Sequence, residues 1–381
     1  MHFKRVSEHG ARTLAALFLA TSLLLAAGLA GTWVYTYRLM TSNGTAAPVV
    51  APTVSTASPL QVLYQLDVPG RGEIFPALSA GSPTDYWPVA ILTIANTSSS
   101  PIVQTVSAGI IDWSTPQIKT MVVGPRQTVS VRISPELLPE AYENTEIRKA
   151  NLQVSASSPG NQAAYTQTRP VYLHSVSDFF WGEKFANAQF IARWVTPHDP
   201  AVIQLVSSAR KYVPRGRLAG YNLPGAKSPG LVANQVQREM QAVFQAMARS
   251  GSSYVDSLYT FGNFTSTAER VRLPRETLQQ DSANCIDVSV AFASAMENLG
   301  MDPVIVIVPG HAFTGVRLGP DSRQIVYLDL TVLPDGSPGK AMSRAQYWLK
   351  KTPPDRLLVV DIAAARKLQI YPLPQPVARQ S

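Results

Sequence analysis

Residues 281–331 read DSANCIDVSVAFASAMENLGMDPVIVIVPGHAFTGVRLGPDSRQIVYLDLT and include Cys285, the one cysteine of the sequence. Apolar residues recur at helical spacing after Asn284 and stop at Gly300, which predicts a helix that begins at about Asn284. Asn284 is a favourable N-cap, and Asp287 suits the first turn. Cys285 is therefore expected at the tip of a helix, where the helix dipole favours a thiolate and a backbone N–H can face an oxyanion.

Three strands are predicted after this helix. PVIVIV at 303–308 is apolar and β-branched, which is typical of a buried strand. His311 begins a second strand, and IVYLDLT, which carries Asp329, is the third. Side chains on adjacent antiparallel strands can lie opposite each other, about 4.5–5.5 Å apart at Cβ. Asp329 is therefore predicted to hold the His311 imidazole in the tautomer that accepts the proton of the Cys285 thiol.

Each of these three residues also has a purely structural interpretation. A free cysteine is often a small buried hydrophobe, a histidine beside a glycine is often a turn residue, and an aspartate at a strand end commonly binds nearby backbone. The negative charge of Asp287 also raises the thiol pKa, which opposes activation. One Cys and five scattered His give neither a disulfide nor a zinc-ligand spacing, so no metal and no cofactor are expected.

Residues 284–313, NCIDVSVAFASAMENLGMDPVIVIVPGHAF, and residues 327–331, YLDLT, resemble the core of the transglutaminase-like superfamily, which is papain-like in arrangement. The resemblance indicates a membrane-anchored bacterial member. It implies that Cys285 is the nucleophile, that His311 is the general base and acid, and that Asp329 orients His311.

The resemblance is strong over 281–331 and looser from Phe179 onward. Leu330 stands where a proline commonly follows the acid, and Asn284 stands where a glycine is frequent before the cysteine. Neither departure removes a catalytic group, but both weaken any inference about the substrate. The side-chain donor to the oxyanion is predicted only by proximity to the cysteine, and the candidates are Asn284, Gln279 and Gln280.

Such a triad predicts acyl transfer on amide bonds through a thioester on Cys285. Attack by water makes the protein a peptidase or amidase, and attack by an amine makes it a cross-linking transglutaminase. The expected substrates are protein or peptide amides, including cell-envelope proteins and peptidoglycan-linked peptides. The alternative is a non-catalytic envelope binding or assembly module of the same fold, with an inert thiol instead of one with a depressed pKa.

Residues 13–37, TLAALFLATSLLLAAGLAGTWVYTY, contain no charged residue. At about 1.5 Å per residue they exceed the roughly 30 Å hydrocarbon core of a bilayer, which predicts a single-pass transmembrane helix or signal anchor. The basic residues of segment 1–12 place the N-terminus in the cytoplasm, the helix in the inner membrane and the remaining domains in the periplasm or outside the cell. A cleavable signal peptide is the competing interpretation, because residues 28–30 form a small-x-small site.

The rest of the chain is predicted to be multidomain. Residues 38–59 are a Ser/Thr/Pro/Ala linker; residues 60–175 show period-two patterning in short pieces, which predicts an all-β, Ig-like sandwich. Residues 176–371 are the α+β, transglutaminase-like (papain-like) domain, and 372–381 are a disordered tail. His174 has no obvious polar partner in sequence.

The net charge of the chain is +8, but charged residues make up only 15% of it and the basic ones are scattered. This distribution disfavours a nucleic-acid partner and leaves a mild preference for anionic surfaces or acidic partners.

Overall fold

The computed structural model describes residues 62–79, 88–159, 165–222, 228–250, 269–279, 283–320, 322–334 and 336–374. All of them belong to one compact unit, Gln61–Ser381. The strands are β1 Val62–Asp67, β2 Glu73–Ile74, β3 Ala90–Asn96, β4 Ile102–Ile110, β5 Gln117–Val123, β6 Thr128–Ile133, β7 Arg148–Ser157, β8 Tyr165–Leu173, β9 Asp178–Phe179, β10 Glu269–Arg270, β11 Pro303–Val308, β12 His311–Arg317, β13 Ile325–Leu328 and β14 Leu358–Asp361. The α-helices are α1 Pro76–Ser79, α2 Pro200–Ala209, α3 Pro229–Arg249, α4 Pro274–Gln279, α5 Cys285–Asn298, α6 Pro338–Lys351 and α7 Ile362–Lys367.

Two sheets make up the first part of the described chain. One has the strand order β1-β3-β6, and the other has the order β2-β8-β7-β4-β5. Buried and partly exposed residues alternate along β3, as expected of a strand with one face on a core. Leu92 and Ile94 of the first sheet and Leu152 and Val154 of the second belong to one apolar core.

An antiparallel sheet of order β13-β12-β11-β14 forms the centre of the second part. Every residue of β11 is buried because the strand is covered on both faces. Ile305 and Ile307 pack in the same core as residues of α5, whereas Val304 and Val306 pack with Trp348 of α6. The strand predicted from the sequence PVIVIV is confirmed, and its continuous apolar run reflects burial on two sides.

The two parts share apolar contacts. Ala77 and Leu78 of α1 belong to the same buried cluster as Phe179, Trp194 and Cys285. The composition of the sequence changes near residue 175, but the hydrophobic core continues across this point.

The fold-class prediction is wrong as stated. The described residues form a mixed α/β structure with several sheets, and among them no helix has the length and apolar character that crossing a bilayer requires. The longest described helix, α3, has 21 residues, but it carries polar and charged side chains along its length, including Arg238 and Glu239. The transmembrane helix predicted at 13–37 lies outside the described residues, as do 1–12 and 38–59, and nothing in the structure supports it.

His174 is held between two carboxylates. Its Nε2 bonds to Glu73, its Nδ1 lies 3.2 Å from Oδ2 of Asp178, and its ring stacks on Phe75 with centroids 4.0 Å apart. Burial alone lowers the His174 pKa, but the two carboxylates outweigh it and raise the pKa. The expectation that His174 has no obvious polar partner in sequence is wrong, because Asp178 lies only four residues later. Glu73 is distant in sequence and reaches His174 through the parallel pairing of β2 with β8.

Candidate active site

Cys285 is the first residue of α5 and is held there by a capping box. The Asn284 side chain accepts a hydrogen bond from the Asp287 backbone N–H at 2.9 Å, and the Asp287 carboxylate accepts one from the Asn284 backbone N–H at 3.2 Å. These bonds satisfy two donors that a helix start leaves unpaired. The prediction of a helix beginning at Asn284, with Cys285 at its tip, is confirmed.

The Cys285 sulfur lies against the start of β12. It accepts a hydrogen bond from the backbone N–H of Ala312, the residue that follows His311. Cys285 is only 2% exposed and His311 only 7% exposed. The fold thus brings the thiol to the strand position next to the histidine, in a site shielded from solvent.

Asp329 follows β13 directly and binds His311. Its Oδ2 lies 2.9 Å from Nε2 of His311 and accepts a hydrogen bond from Nε1 of Trp348 at 3.1 Å. Its Oδ1 accepts from the backbone N–H of Thr331 at 3.1 Å and from the Thr331 hydroxyl at 2.7 Å. The guanidinium Nε of Arg344 lies 3.7 Å from the same Oδ2. Asp329 is fully buried, and these donors compensate its charge.

The contact between Asp329 and His311 fixes the tautomer of the imidazole. Burial alone raises the Asp329 pKa, but the hydrogen bond and charge of His311, together with the bonds from Thr331, outweigh burial and lower the pKa. The carboxylate therefore stays ionised and can only accept hydrogen bonds. Nε2 of His311 must carry a proton, which leaves Nδ1 as the ring nitrogen that can act as a base.

Trp348 is a site residue that sequence reasoning missed. Its ring stacks on His311 with centroids 4.7 Å apart and an interplanar angle of 28°, while its indole N–H binds Asp329. One side chain thus fixes both the plane of the imidazole and the carboxylate that steers it. Trp348 lies on α6, and the signal available in the sequence was a large aromatic residue in an otherwise basic segment.

The thiol pKa has the opposite direction to that expected of an activated nucleophile. Burial, together with the negative charges of Glu269, Asp287 and Asp329, raises the pKa of Cys285 to about 12, against the lowering effect of the Ala312 N–H. The thiol is therefore protonated at neutral pH. Any attack on a carbonyl carbon requires a base to remove that proton during the attack, and Asp329 leaves Nδ1 of His311 free for this role.

Glu269 is a second residue that sequence reasoning missed. Its Oε2 accepts a hydrogen bond from Nε1 of Trp181, and its Oε1 is buried with no hydrogen-bond partner among the residues that the structure describes. Burial, together with the charge of Asp287, raises the Glu269 pKa to about 7 against the lowering effect of the Trp181 bond. Glu269 is therefore a buried carboxyl group with a raised pKa whose charge acts on the Cys285 thiol.

Replacing Glu269 with Gln should increase stability above pH 7. Folding raises the Glu269 pKa from 4.5 to about 7. The contribution of Glu269 to the free energy of unfolding is therefore fully present below pH 4.5 and is lost as the pH rises through 7, where the buried carboxyl ionises. The buried charge then costs about 3 kcal/mol. Glutamine retains an acceptor for Trp181 and does not ionise. Urea unfolding at pH 5 and pH 8.5 measures the effect, and equal pH dependence in the two proteins would contradict it.

Three residues were predicted as candidates for the side-chain donor to the oxyanion: Asn284, Gln279 and Gln280. The Asn284 side-chain oxygen is used in the capping box, so Asn284 acts in this structure as a helix cap. Gln279 is the last residue of α4, and Gln280 lies outside the described residues. The oxyanion assignment of Asn284 stays a prediction.

No protein-family model matches the chain, and no curated protein matches it. The resemblance to the transglutaminase-like superfamily therefore stays a prediction carried by the residues themselves.

Proposed function

We propose that the protein is a cysteine-dependent acyl transferase that acts on amide bonds, with Cys285 as nucleophile, His311 as general base and acid, and Asp329 as the residue that orients His311. The observation that carries this proposal is the contact of 2.9 Å between Nε2 of His311 and Asp329. It leaves Nδ1 as the ring nitrogen that can act as a base, and the cysteine at the helix tip lies by the backbone of Ala312, the residue after His311. Nucleophilic catalysis by a thiol requires such a pairing of thiol and base.

The proposed reaction has two halves. In the first, Nδ1 of His311 takes the thiol proton as the Cys285 sulfur attacks the amide carbon, and the imidazolium then gives that proton to the departing amine as the C–N bond breaks. In the second, water or an amine attacks the thioester, loses a proton to His311, and the thiolate leaves and is reprotonated. The backbone N–H of Cys285, at the start of α5, is the proposed donor to the oxyanion.

Both fates of the thioester belong to the proposal. Hydrolysis is expected wherever water reaches the thioester, because water is always the more abundant acceptor. Transfer to an amine requires a site that excludes water, and the small exposed fractions of Cys285 and His311 support this second outcome. The substrate is proposed to be a protein or peptide amide.

The second candidate function is a non-catalytic binding or assembly module. The observation that favours it is the burial of Cys285, which raises the thiol pKa to about 12. A cysteine that serves only as a core residue has this environment. The two functions differ in whether His311 affects the reactivity of the thiol.

Alkylation of Cys285 by iodoacetamide distinguishes the two functions. The sequence has one cysteine, so all labelling reports on this residue. If His311 acts as the base, the His311→Ala variant should label about 10²-fold more slowly at pH 7.5 than the unchanged protein. The two should converge at high pH, where hydroxide removes the thiol proton directly.

Equal and slow labelling of both proteins at every pH would end the catalytic proposal. Labelling after denaturation gives the control, because it must reach one equivalent in both. Mass spectrometry of peptide mixtures incubated with the protein then identifies the reaction: cut peptides or ammonia indicate hydrolysis, and isopeptide bonds indicate transfer. The Cys285→Ala variant must give none of these products.

A further inference from the structure

Helix α6 has a basic outer face beside the candidate site. Its sequence, PGKAMSRAQYWLKK, contains four Lys or Arg residues and no Asp or Glu. Lys340, Arg344, Tyr347 and Lys351 recur at intervals of three or four residues and so line one side of the helix over roughly 16 Å. All four are exposed, and Tyr347 is 49% exposed. These four residues are called the basic face below.

The cations of the basic face are arranged around aromatic rings. The Arg344 guanidinium carbon lies 5.9 Å from the ring centroid of Tyr347 and 6.0 Å from that of Trp348. The Lys351 ammonium lies 5.3 Å and 5.2 Å from the same two rings. Two charges therefore stand one helical turn to either side of Tyr347, held by attraction to the ring faces.

The basic face has little internal charge compensation. Arg344 lies 3.7 Å from Asp329, but that carboxylate is fully buried and already binds His311 and Thr331. Neither Lys340 nor Lys351 forms an ion pair with a carboxylate in the described part of the chain. The face is therefore positively charged and open to anions from solvent.

Trp348, which neighbours the basic face on the same side of α6, forms part of the candidate site. Trp348 stacks on His311 and binds Asp329, and its ring also meets Arg344 and Lys351. The Trp348 ring thus connects the basic face to the imidazole that is proposed to act in acyl transfer.

We propose that the basic face binds an acidic segment of the polypeptide substrate, next to the amide that reacts. This inference rests on the proposed function, which requires a partner with an amide bond that can be cleaved by acyl transfer. Polypeptides have such bonds, whereas the nucleic-acid backbone and the common anionic phospholipid headgroups do not. The planar Arg344 guanidinium suits a carboxylate, Lys340 and Lys351 supply further positive charge, and the half-exposed Tyr347 ring offers a surface for the peptide backbone.

Fluorescence anisotropy with the Cys285→Ala variant of the full chain tests the inference without any chemistry. The probes are a fluorescein-labelled Glu/Ala peptide and its Gln/Ala and Lys/Ala counterparts. We expect the Glu/Ala peptide alone to bind, with an affinity that falls as salt rises. Lys340→Glu with Lys351→Glu should weaken that binding about tenfold or more, and Lys340→Gln with Lys351→Gln should weaken it less.

The matched control is Arg148→Glu with Lys149→Glu, an equal change of charge at exposed positions of β7. The control should keep the affinity of the parent. Three results would overturn the inference. The first is an equal loss of affinity in both double variants, and the second is equal binding of the Gln/Ala and Glu/Ala peptides. The third is tighter binding of an RNA oligonucleotide, or of anionic vesicles, that competes with the peptide. The binding assay uses a variant without Cys285, so it reports on binding alone. If that variant binds the peptide but the unchanged protein transfers no acyl group, the proposed function is refuted and the docking surface stands.

Discussion

Replacing Asp329 with Asn should slow alkylation of Cys285 at pH 7.5 by about 10²-fold, to the rate of His311→Ala, although the imidazole is still present. An ionised carboxylate can only accept, and it therefore keeps the proton of His311 on Nε2 and the lone pair on Nδ1. The side-chain amide of the Asp329→Asn variant can donate to Nε2, which moves the proton to Nδ1 and removes the base. On an amide substrate the same change should cost about 10⁴ in turnover.

The ¹⁵N chemical shifts of the His311 ring measure the tautomer directly. In the neutral imidazole, the unchanged protein should show a protonated Nε2 and an unprotonated Nδ1, and the Asp329→Asn variant should show the reverse. Trp348→Phe is the matched control for the environment of Asp329, because it removes one hydrogen bond of 3.1 Å to Oδ2 but retains the carboxylate and an aromatic ring. Labelling of Asp329→Asn at the unchanged rate would remove Asp329 from the proposed site.

Local signals in the sequence predicted the helix and strands that carry the candidate site. The spacing of Asn284 and Asp287 is enough to place a helix start, because both capping contacts lie within four residues. A continuous β-branched run predicts β11 for a similar reason, since burial on both faces removes the need for polar positions. The positions of Cys285 and His311 could be predicted together with these elements, because Cys285 is the first residue of α5 and His311 is the first residue of β12.

Partners supplied from distant parts of the chain could not be predicted in this way. Glu269 lies on β10, which pairs with β9, and its charge acts on the thiol from there. Trp348 reaches His311 from α6. His174 finds Glu73 across the parallel pairing of β2 with β8. No local pattern encodes these contacts, because they depend on how the sheets and helices pack. The direction of the thiol pKa depends on the same packing: burial, the local charge of Asp287 and the distant charges of Glu269 and Asp329 outweigh the helix dipole and raise it.

Replacing Asp287 with Ala should lower the free energy of unfolding by about 3 to 5 kcal/mol. Asp287 is fully buried. Its carboxylate accepts hydrogen bonds from the Arg272 backbone N–H at 2.8 Å, from the Arg272 guanidinium at 3.0 Å and from the Asn284 backbone N–H at 3.2 Å. Alanine leaves these three donors without their acceptor and leaves the Arg272 charge without its partner. Urea unfolding at pH 7 measures the loss.

Ser337→Ala separates helix capping from the buried ion pair. Ser337 caps the exposed start of α6 through a bond of 3.3 Å to the Lys340 N–H, and its removal should cost about 1 kcal/mol. A similar small loss for Asp287→Ala would mean that the Arg272 contact contributes nothing.

The thiol gives an independent readout of the same change. Asp287 raises the Cys285 pKa and also holds the first turn of α5 in place. Asp287→Ala should therefore label faster than the unchanged protein at neutral pH, because the thiol loses a nearby negative charge and becomes more accessible. Its labelling should also no longer depend on His311, since the frayed helix start separates sulfur from imidazole. A variant that labels faster and still requires His311 would show that the capping box is not what holds these two side chains together.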